Sequence, residues 1–514
     1  MFRTVGTGFW VVAIITILIV FFNLGGVPLL DPDEPVYAET PKEMIDFNEF
    51  VSPRIYGEYW YDKPPMYYWL VVASYKVFGI SEFSARFPSA ILAVACTLLV
   101  YLSGRRLFNE RAGIAGALVL ATSIEFFYLG KAAVTDITLL FFLSASLLSF
   151  IEKKYYPAYL FAGLATLTKG PIGLLFPGGI VFFYLFATRN WLQLKSMKIP
   201  SGLLLYAAVA APWYIIMYTI HGSIFIDTFL GFHNITRFTS PEHPASVLWY
   251  YYIPVLILGF FPWTSIMFQS IWTSLTKSAH HFPTLLFLNI WAIFIFIFFT
   301  MSQTKLVSYI LPMYPPLAMI AGWYVDHLWS SHTKIRSTSW TVTLSILVIL
   351  FAAAMFMGLK AMPILANGIY ISSLIFVLMA FSVAYFMWKK EINRAFWSQI
   401  IAMILFSTVL VVILIPLAAP SLTTKNLAQE FNSQYDGRSP VYIVKFLRPG
   451  FTFYTNVYGK EISLYTDLNQ LIQTNQRSYF VIRESEYQRL TDINRQSTII
   501  ISKINDKILL LKNQ

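Results

Sequence analysis

Asp31, Asp33 and Glu34 stand within the run Asp-Pro-Asp-Glu-Pro-Val-Tyr-Ala-Glu, directly after the first long apolar stretch of the chain. A carboxylate in that place can meet a lipid headgroup at the membrane surface. The plainer use of Asp33 is to cap a following helix, with Pro35 in its first turn. Asp136, in Ala-Val-Thr-Asp-Ile-Thr-Leu-Leu, opens another apolar stretch and, taken alone, also reads as an N-cap. Acid–base work and metal binding both need carboxylates brought together from distant sequence. The chemical reading therefore depends on Asp33, with Glu34 beside it, and Asp136 sharing one water–lipid boundary.

Four cations fall at the same kind of place. They are Lys63 in Tyr-Asp-Lys-Pro-Pro, Lys169 in Thr-Lys-Gly-Pro, Arg237 in His-Asn-Ile-Thr-Arg-Phe and Lys305 in Ser-Gln-Thr-Lys-Leu. Any one of them could be a snorkelling side chain. Several on the face where topology disfavours positive charge point to a bound anion, and phosphate is the natural candidate at a membrane surface. Lys63 and Arg237 are the first choices. His233 and His243, the latter next to Glu242, could hold a divalent ion with Asp62 or Asp33 through mixed nitrogen and oxygen ligands, although their spacing matches no standard metal motif. No glycine-rich phosphate loop sits between a strand and a helix, which argues against a nucleotide donor of the usual soluble kind.

The elements that must position these residues are membrane spans. With 57% hydrophobic and 12% charged residues among 514, and a mean hydropathy of +0.61, lipid is the expected solvent. About thirteen apolar runs are long enough to cross roughly 30 Å of hydrocarbon. They lie near 7–26, 84–104, 111–129, 135–152, 155–168, 171–187, 201–220, 247–271, 284–301, 307–328, 338–358, 368–388 and 396–416. Arg3 before the first run suggests a signal peptide, but no convincing small-residue cleavage site follows, so the run is read as a retained span. If the N-terminus is cytoplasmic, the inside loops hold Arg105, Arg106, Arg111, Lys153, Lys154, Arg189, Lys195, Lys198, Lys277, Lys334, Arg336, Lys389, Lys390 and Arg394. That is a positive-inside bias repeated loop after loop. The formal charge of +11 is thus explained by topology, and nucleic-acid binding is not expected. The single cysteine, Cys96, excludes an internal disulfide and serves as a packing residue.

An odd number of spans puts the polar tail, 421–514, on the outside, where apolar stretches interleaved with helical patterns predict a small α/β domain. The membrane domain is 1–420. Its first outside loop, 27–83, is long enough to need structure of its own. Helical spacing from Glu34 to Phe47 predicts an interfacial helix, and the aromatic-rich stretch Tyr59 to Tyr75 offers residue types that anchor at headgroups.

The ordered motifs Asp33-Glu34-Pro35-Val36-Tyr37-Ala38-Glu39, Asp62-Lys63-Pro64-Pro65 with Tyr68-Trp69, Arg86-Phe87-Pro88, Thr135-Asp136, Thr168-Lys169-Gly170-Pro171, Phe261-Pro262-Trp263 and Lys305 through Tyr309-Ile310-Leu311-Pro312 resemble the bacterial aminoarabinose transferases. These belong to the GT-C superfamily, alongside the protein O-mannosyltransferases. The resemblance runs over nearly the whole membrane part; the tail is similar only in position and size. It implies an all-α polytopic fold of GT-C type with the small outside domain. The implied donor is undecaprenyl-phosphate carrying a sugar, and the implied acceptor, lipid A or a related glycan, is met at the outer face of the inner membrane. It also implies Asp33 as principal and Asp136 as second catalytic carboxylate, Lys63 and Arg237 on the carrier-lipid phosphate with Tyr309 nearby, and Asp62 with His243 as zinc ligands. Family members commonly have arginine where this chain has Val36, so donor specificity is open. A polyprenyl-phosphate-mannose-dependent protein O-mannosyltransferase is the alternative within the class. A transporter or flippase fits less well, because these charges sit at span ends without an internal repeat.

Overall fold

Among the described residues the expected apolar runs are largely helical in the computed structural model, which describes residues 6–241, 248–276, 281–331, 334–462, 465–473 and 476–513. In lipid the backbone must satisfy its own hydrogen bonds, and the helix does so within one segment. Among the described residues, six helices are long and apolar enough to cross a membrane, or up to eight if each of two bent pairs is one span. Three more, Thr7–Phe21, Asp136–Ile151 and Ile172–Thr188, are apolar but shorter. The chain is a multi-pass membrane protein, but length and composition alone do not reach the expected thirteen spans.

The bent pairs explain part of the difference. Glu110–Ala121 meets Ile124–Gly130 at 68°, and Tyr252–Gly259 meets Thr264–Thr276 at 106°. Pro262, which has no N–H to donate, sits in the second break. The two breaks serve each other: Ile124 N–H donates to Phe261 O at 3.4 Å, and the Trp263 indole donates to Thr122 Oγ1 at 2.9 Å. Small residues also permit a close helix contact. A Cβ on Gly322 would lie 2.4 Å from Gly116 N and 2.6 Å from Ala112 O, so Glu110–Ala121 and Tyr314–Ser331 pack nearly backbone to backbone.

The helices Asp136–Ile151 and Tyr155–Lys169 are antiparallel neighbours and define two ends of the bundle. At one end Glu152 accepts from Arg106 at 2.9 Å and pairs with Lys154, while Arg105 pairs with Glu110 at 2.7 Å. Those are the predicted inside loops. At the other end stand Asp136 and Lys169, and a helix of 16 residues separates the two ends by roughly 24 Å.

The chain divides into two compact units. One comprises 1–22, 61–67 and 88–410, the other 23–60, 68–87 and 411–514. In the second unit a five-stranded sheet has the order β4-β3-β5-β7-β6, from Val441–Val444 (β3), Lys460–Ile462 (β4), Ser478–Arg483 (β5), Thr498–Ile504 (β6) and Lys507–Lys512 (β7). Strands β4, β3 and β5 run parallel; β7 is antiparallel to β5 and β6. The α/β character matches the tail's pattern. Helix Arg448–Thr455 and β4 went unpredicted, because Pro449, Gly450 and three threonines or tyrosines make a weak helix signal and β4 is a short, largely exposed edge.

The first outside loop folds within the same unit. Its predicted helix is Asp33–Asp46, but the polar side is not left to water: Glu39 and Glu43 are buried. Glu43 accepts from Tyr56 N at 2.6 Å and Gly57 N at 2.9 Å, closing the turn between Arg54–Ile55 (β1) and Glu58–Tyr59 (β2). Both turn residues have positive φ, as a two-residue hairpin requires. Of the aromatic stretch, Tyr68 and Tyr75 are buried, packing or hydrogen-bonding helix Met66–Phe78 against Asp33–Asp46.

Candidate functional site

At the end of the bundle opposite the Arg106–Glu152 pair, several helix ends line a cavity of about 110 Å³ within the first unit, room for more than a single water. Its polar lining is Asp62, Lys63, Asp136, Lys169, His233 and Arg237, with Tyr309 and an apolar wall that includes Leu139, Ile172 and Phe299.

Helix geometry places the first pair. Asp136 is the first residue of its helix, with Thr135 at the N-cap, and Lys169 is the last residue of the neighbouring helix. Each charge complements the helix dipole where it stands. Gly170, at φ +80°, ends the Lys169 helix in a conformation that side chains rarely adopt. Lys169 Nζ donates to Asp136 Oδ1 at 2.8 Å and lies 5.0 Å from the centre of the Tyr309 ring. Asp136 is therefore paired across helices, which its N-terminal place alone does not require.

Asp62 organises the second group. Its Oδ1 accepts from Lys63 Nζ at 2.8 Å and Arg237 Nη1 at 3.3 Å, and His233 Nδ1 lies 2.8 Å away. Burial alone would raise the Asp62 carboxyl's pKa, but Lys63, His233 and Arg237 together hold it well below the usual range. Burial also keeps the Lys63 ammonium below its ordinary value against the pull of Asp62, and Arg237 and Lys169 add to that effect. His233 and Arg237 come from the stretch Asp227–Thr236 and the residue after it, wound as a π-helix, a geometry frequent at functional sites. Sequence periodicity of 3.6 does not reveal such a turn.

Lys305 is not among the lining residues. Its ammonium folds back on Ser302 O at 2.5 Å. The loop around it still matters, since Gln303 N–H and Thr304 N–H donate to Phe238 O and Arg237 O at 3.0 and 3.2 Å and so fix the backbone of Arg237. Asp33 and Glu34 belong to the second unit. Asp33 is an exposed residue of the first turn of its helix, whose N-cap is Pro32. Glu34 is buried and engaged: Arg86 holds its two oxygens at 2.7 and 2.6 Å, and Leu30 N–H donates to it at 2.8 Å. Neither the pairing of Glu34 with Arg86 nor the place of Asn234 in the cavity lining is readable from spacing.

Asp62 and His233 are in contact, as two members of a metal site would be. His243 lies outside the described residues, and among those described no group of three or more histidine, cysteine or acidic side chains could hold an ion. The described residues alone do not complete such a site, and Lys63 and Arg237 already occupy the Asp62 carboxylate.

Chemically, three cations and two carboxylates line one cavity, so it suits an anion that gains charge during reaction. Residues 62–216 match the family described as dolichyl-phosphate-mannose-protein mannosyltransferase. An uncharacterized protein of Aquifex aeolicus is 31% identical over 346 residues, 65% of this chain and 67% of that protein. The undecaprenyl phosphate-alpha-4-amino-4-deoxy-L-arabinose arabinosyl transferase of Edwardsiella ictaluri is 27% identical over 64% of this chain, which spans 61% of that transferase's length. In fold, the crystal structure of ArnT from Cupriavidus metallidurans bound to undecaprenyl phosphate superposes with a TM-score of 0.80, covering 99% of this chain and 98% of that one at 22% identity. The chain belongs to the aminoarabinose-transferase-like family of GT-C membrane glycosyltransferases.

Proposed function

We propose that this protein moves a sugar from an undecaprenyl-phosphate-sugar donor to an acceptor outside the cytoplasm, lipid A or a related envelope glycan. What supports the reading above all is the convergence of Lys63, Lys169 and Arg237, from three distant segments, on one cavity with an apolar wall. A polyprenyl phosphate presents the matching chemistry, an anionic group on an apolar chain. When the bond from the anomeric carbon to the phosphate oxygen breaks, a phosphate diester becomes a monoester and its negative charge grows. Cations already aimed at that place stabilise the transition state more than the ground state. Asp62 and Asp136 hold those cations in position, with Tyr309 beside Lys169.

Asp33 serves the acceptor, and its job differs with the acceptor's chemistry. If the acceptor is a lipid A phosphate, its oxygen is already anionic and needs no general base; if it is a hydroxyl, Asp33 takes the proton. The cavity and the tail face the periplasm or cell exterior, and the basic loops at the other end of the bundle support that orientation.

The test is transfer by the full chain reconstituted with undecaprenyl-phosphate sugar. Asp33→Asn abolishes transfer under this reading; near-normal turnover by that variant refutes the central role of Asp33. Mass spectrometry of lipid A and of envelope glycoproteins from a deletion strain identifies the acceptor class, and loss of a sugar from glycoproteins alone would favour the mannosyltransferase alternative.

A further inference from the structure

At the opposite end of the bundle lies a second and larger cavity of about 610 Å³, lined by Arg111, Trp329, Lys390, Glu391, Arg394 and Trp397, among others. Arg111 follows Glu110, the partner of Arg105, so this cavity opens at the face of the basic loops. Its polar groups are nearly all donors. Arg111, Lys390 and Arg394 bring three positive charges, against which Glu391 is committed to Arg394 at 2.8 Å. The Trp329 indole N–H is buried and has no hydrogen-bond partner among the described residues. Ile392, Asn393 and Arg394 form the first turn of the 18-residue helix Ile392–Val409, whose leading N–H groups lack intrahelical acceptors and whose dipole is positive there.

The depth of the cavity indicates the source of an anion. It sits where the candidate spans Pro363–Trp388 and Ile392–Leu422 turn back, which is the level of lipid phosphates. Trp388, three-quarters exposed, Trp397 and Trp329 ring the same level, as indoles do at the headgroup layer. Basic pockets between helices on that side of a membrane recognise anionic headgroups. We propose that this cavity binds the phosphate headgroup of an anionic glycerophospholipid from the leaflet facing the basic loops, at a site separate from the Asp62–Lys63–Arg237 cavity.

The test uses the purified full chain in neutral detergent and follows thermal unfolding with dimyristoyl-phosphatidylglycerol, dimyristoyl-phosphatidylcholine or sodium phosphate. Phosphatidylglycerol is expected to raise the midpoint saturably, while the other two leave it unchanged. The Arg111→Gln, Lys390→Gln, Arg394→Gln triple variant is expected to weaken the apparent affinity about fivefold per cation removed, roughly 100-fold in all. A control triple, Lys153→Gln, Lys195→Gln and Lys198→Gln, takes the same charge from the same face and keeps wild-type affinity. Should the first triple fail to fold, Trp329→Phe keeps an aromatic ring but removes the indole N–H along with the pyrrole ring, and is expected to weaken binding a few-fold. An equal loss in the control, an equal response to sodium phosphate, or unchanged affinity in the first triple and in Trp329→Phe would overturn the proposal.

Discussion

Replacing Lys169 with methionine tests whether the Asp136–Lys169 pair is catalytic machinery or scaffolding. The pair spans 2.8 Å between side chains only 13% and 12% exposed. At an effective dielectric of about 20, two unit charges at that distance attract by roughly 6 kcal/mol, most of it offset by the cost of taking them from water. Lys169→Met leaves Asp136 buried and unpaired, an expected loss of about 3–5 kcal/mol. Asp136→Asn/Lys169→Met removes both charges and is expected to return to within about 1 kcal/mol of the wild type, because no lone buried charge remains. Turnover behaves differently. A preorganised cation aimed at the leaving phosphate is worth about 10²–10³ in rate, so both variants are expected to lose that factor even where stability recovers. Thermal unfolding in detergent and single-turnover transfer in liposomes read the two quantities separately. A double variant that regains both stability and rate would refute the assignment and reduce the pair to a helix clasp.

Three further outcomes follow from the geometry. Arg86→Lys is expected to destabilise the protein by about 3–5 kcal/mol in chemical or thermal unfolding, since an ammonium cannot reproduce the fork that joins Glu34 to Leu24 O, Val27 O and Pro28 O. Burial raises the Asp31 carboxyl to about 8, with Lys507, Thr424 and Arg483 opposing, so its folded form holds the proton more tightly than the unfolded chain. That contribution to stability is fully present below the unfolded value near 3.8 and is lost as pH rises through about 8. Between pH 5 and 9 the unfolding midpoint is therefore expected to fall more steeply in the wild type than in Asp31→Asn; parallel curves would rule Asp31 out. Gly322→Val forces a side chain against Gly116 N and Ala112 O and is expected to cost about 1–3 kcal/mol, whereas Gly358→Ala, with open space around it, is close to neutral in the same assay.

The sequence by itself determined that the chain crosses a membrane many times and which charged residues stand at the ends of its apolar runs. Burying a charge in hydrocarbon is so costly that Asp62, Lys63, Asp136, Lys169 and Arg237 had to sit at helix boundaries, and the basic loops had to gather at the other face. Four of the tail's five strands and two of its helices were readable too, because two-residue alternation and helical periodicity both mark a buried face. Tertiary structure decided which of the cations meet. Lys63, Lys169 and Arg237 converge and Lys305 does not, although all four stand at comparable places in sequence. The difference lies in antiparallel helix pairing and in the π-wound turns before Arg237, long-range and local geometries that leave no periodic signature. The pairing of Glu34 with Arg86, 52 residues away, and the folding of the first loop with the tail are of the same kind. Each depends on contacts between segments far apart in the chain, and spacing within one segment cannot specify them.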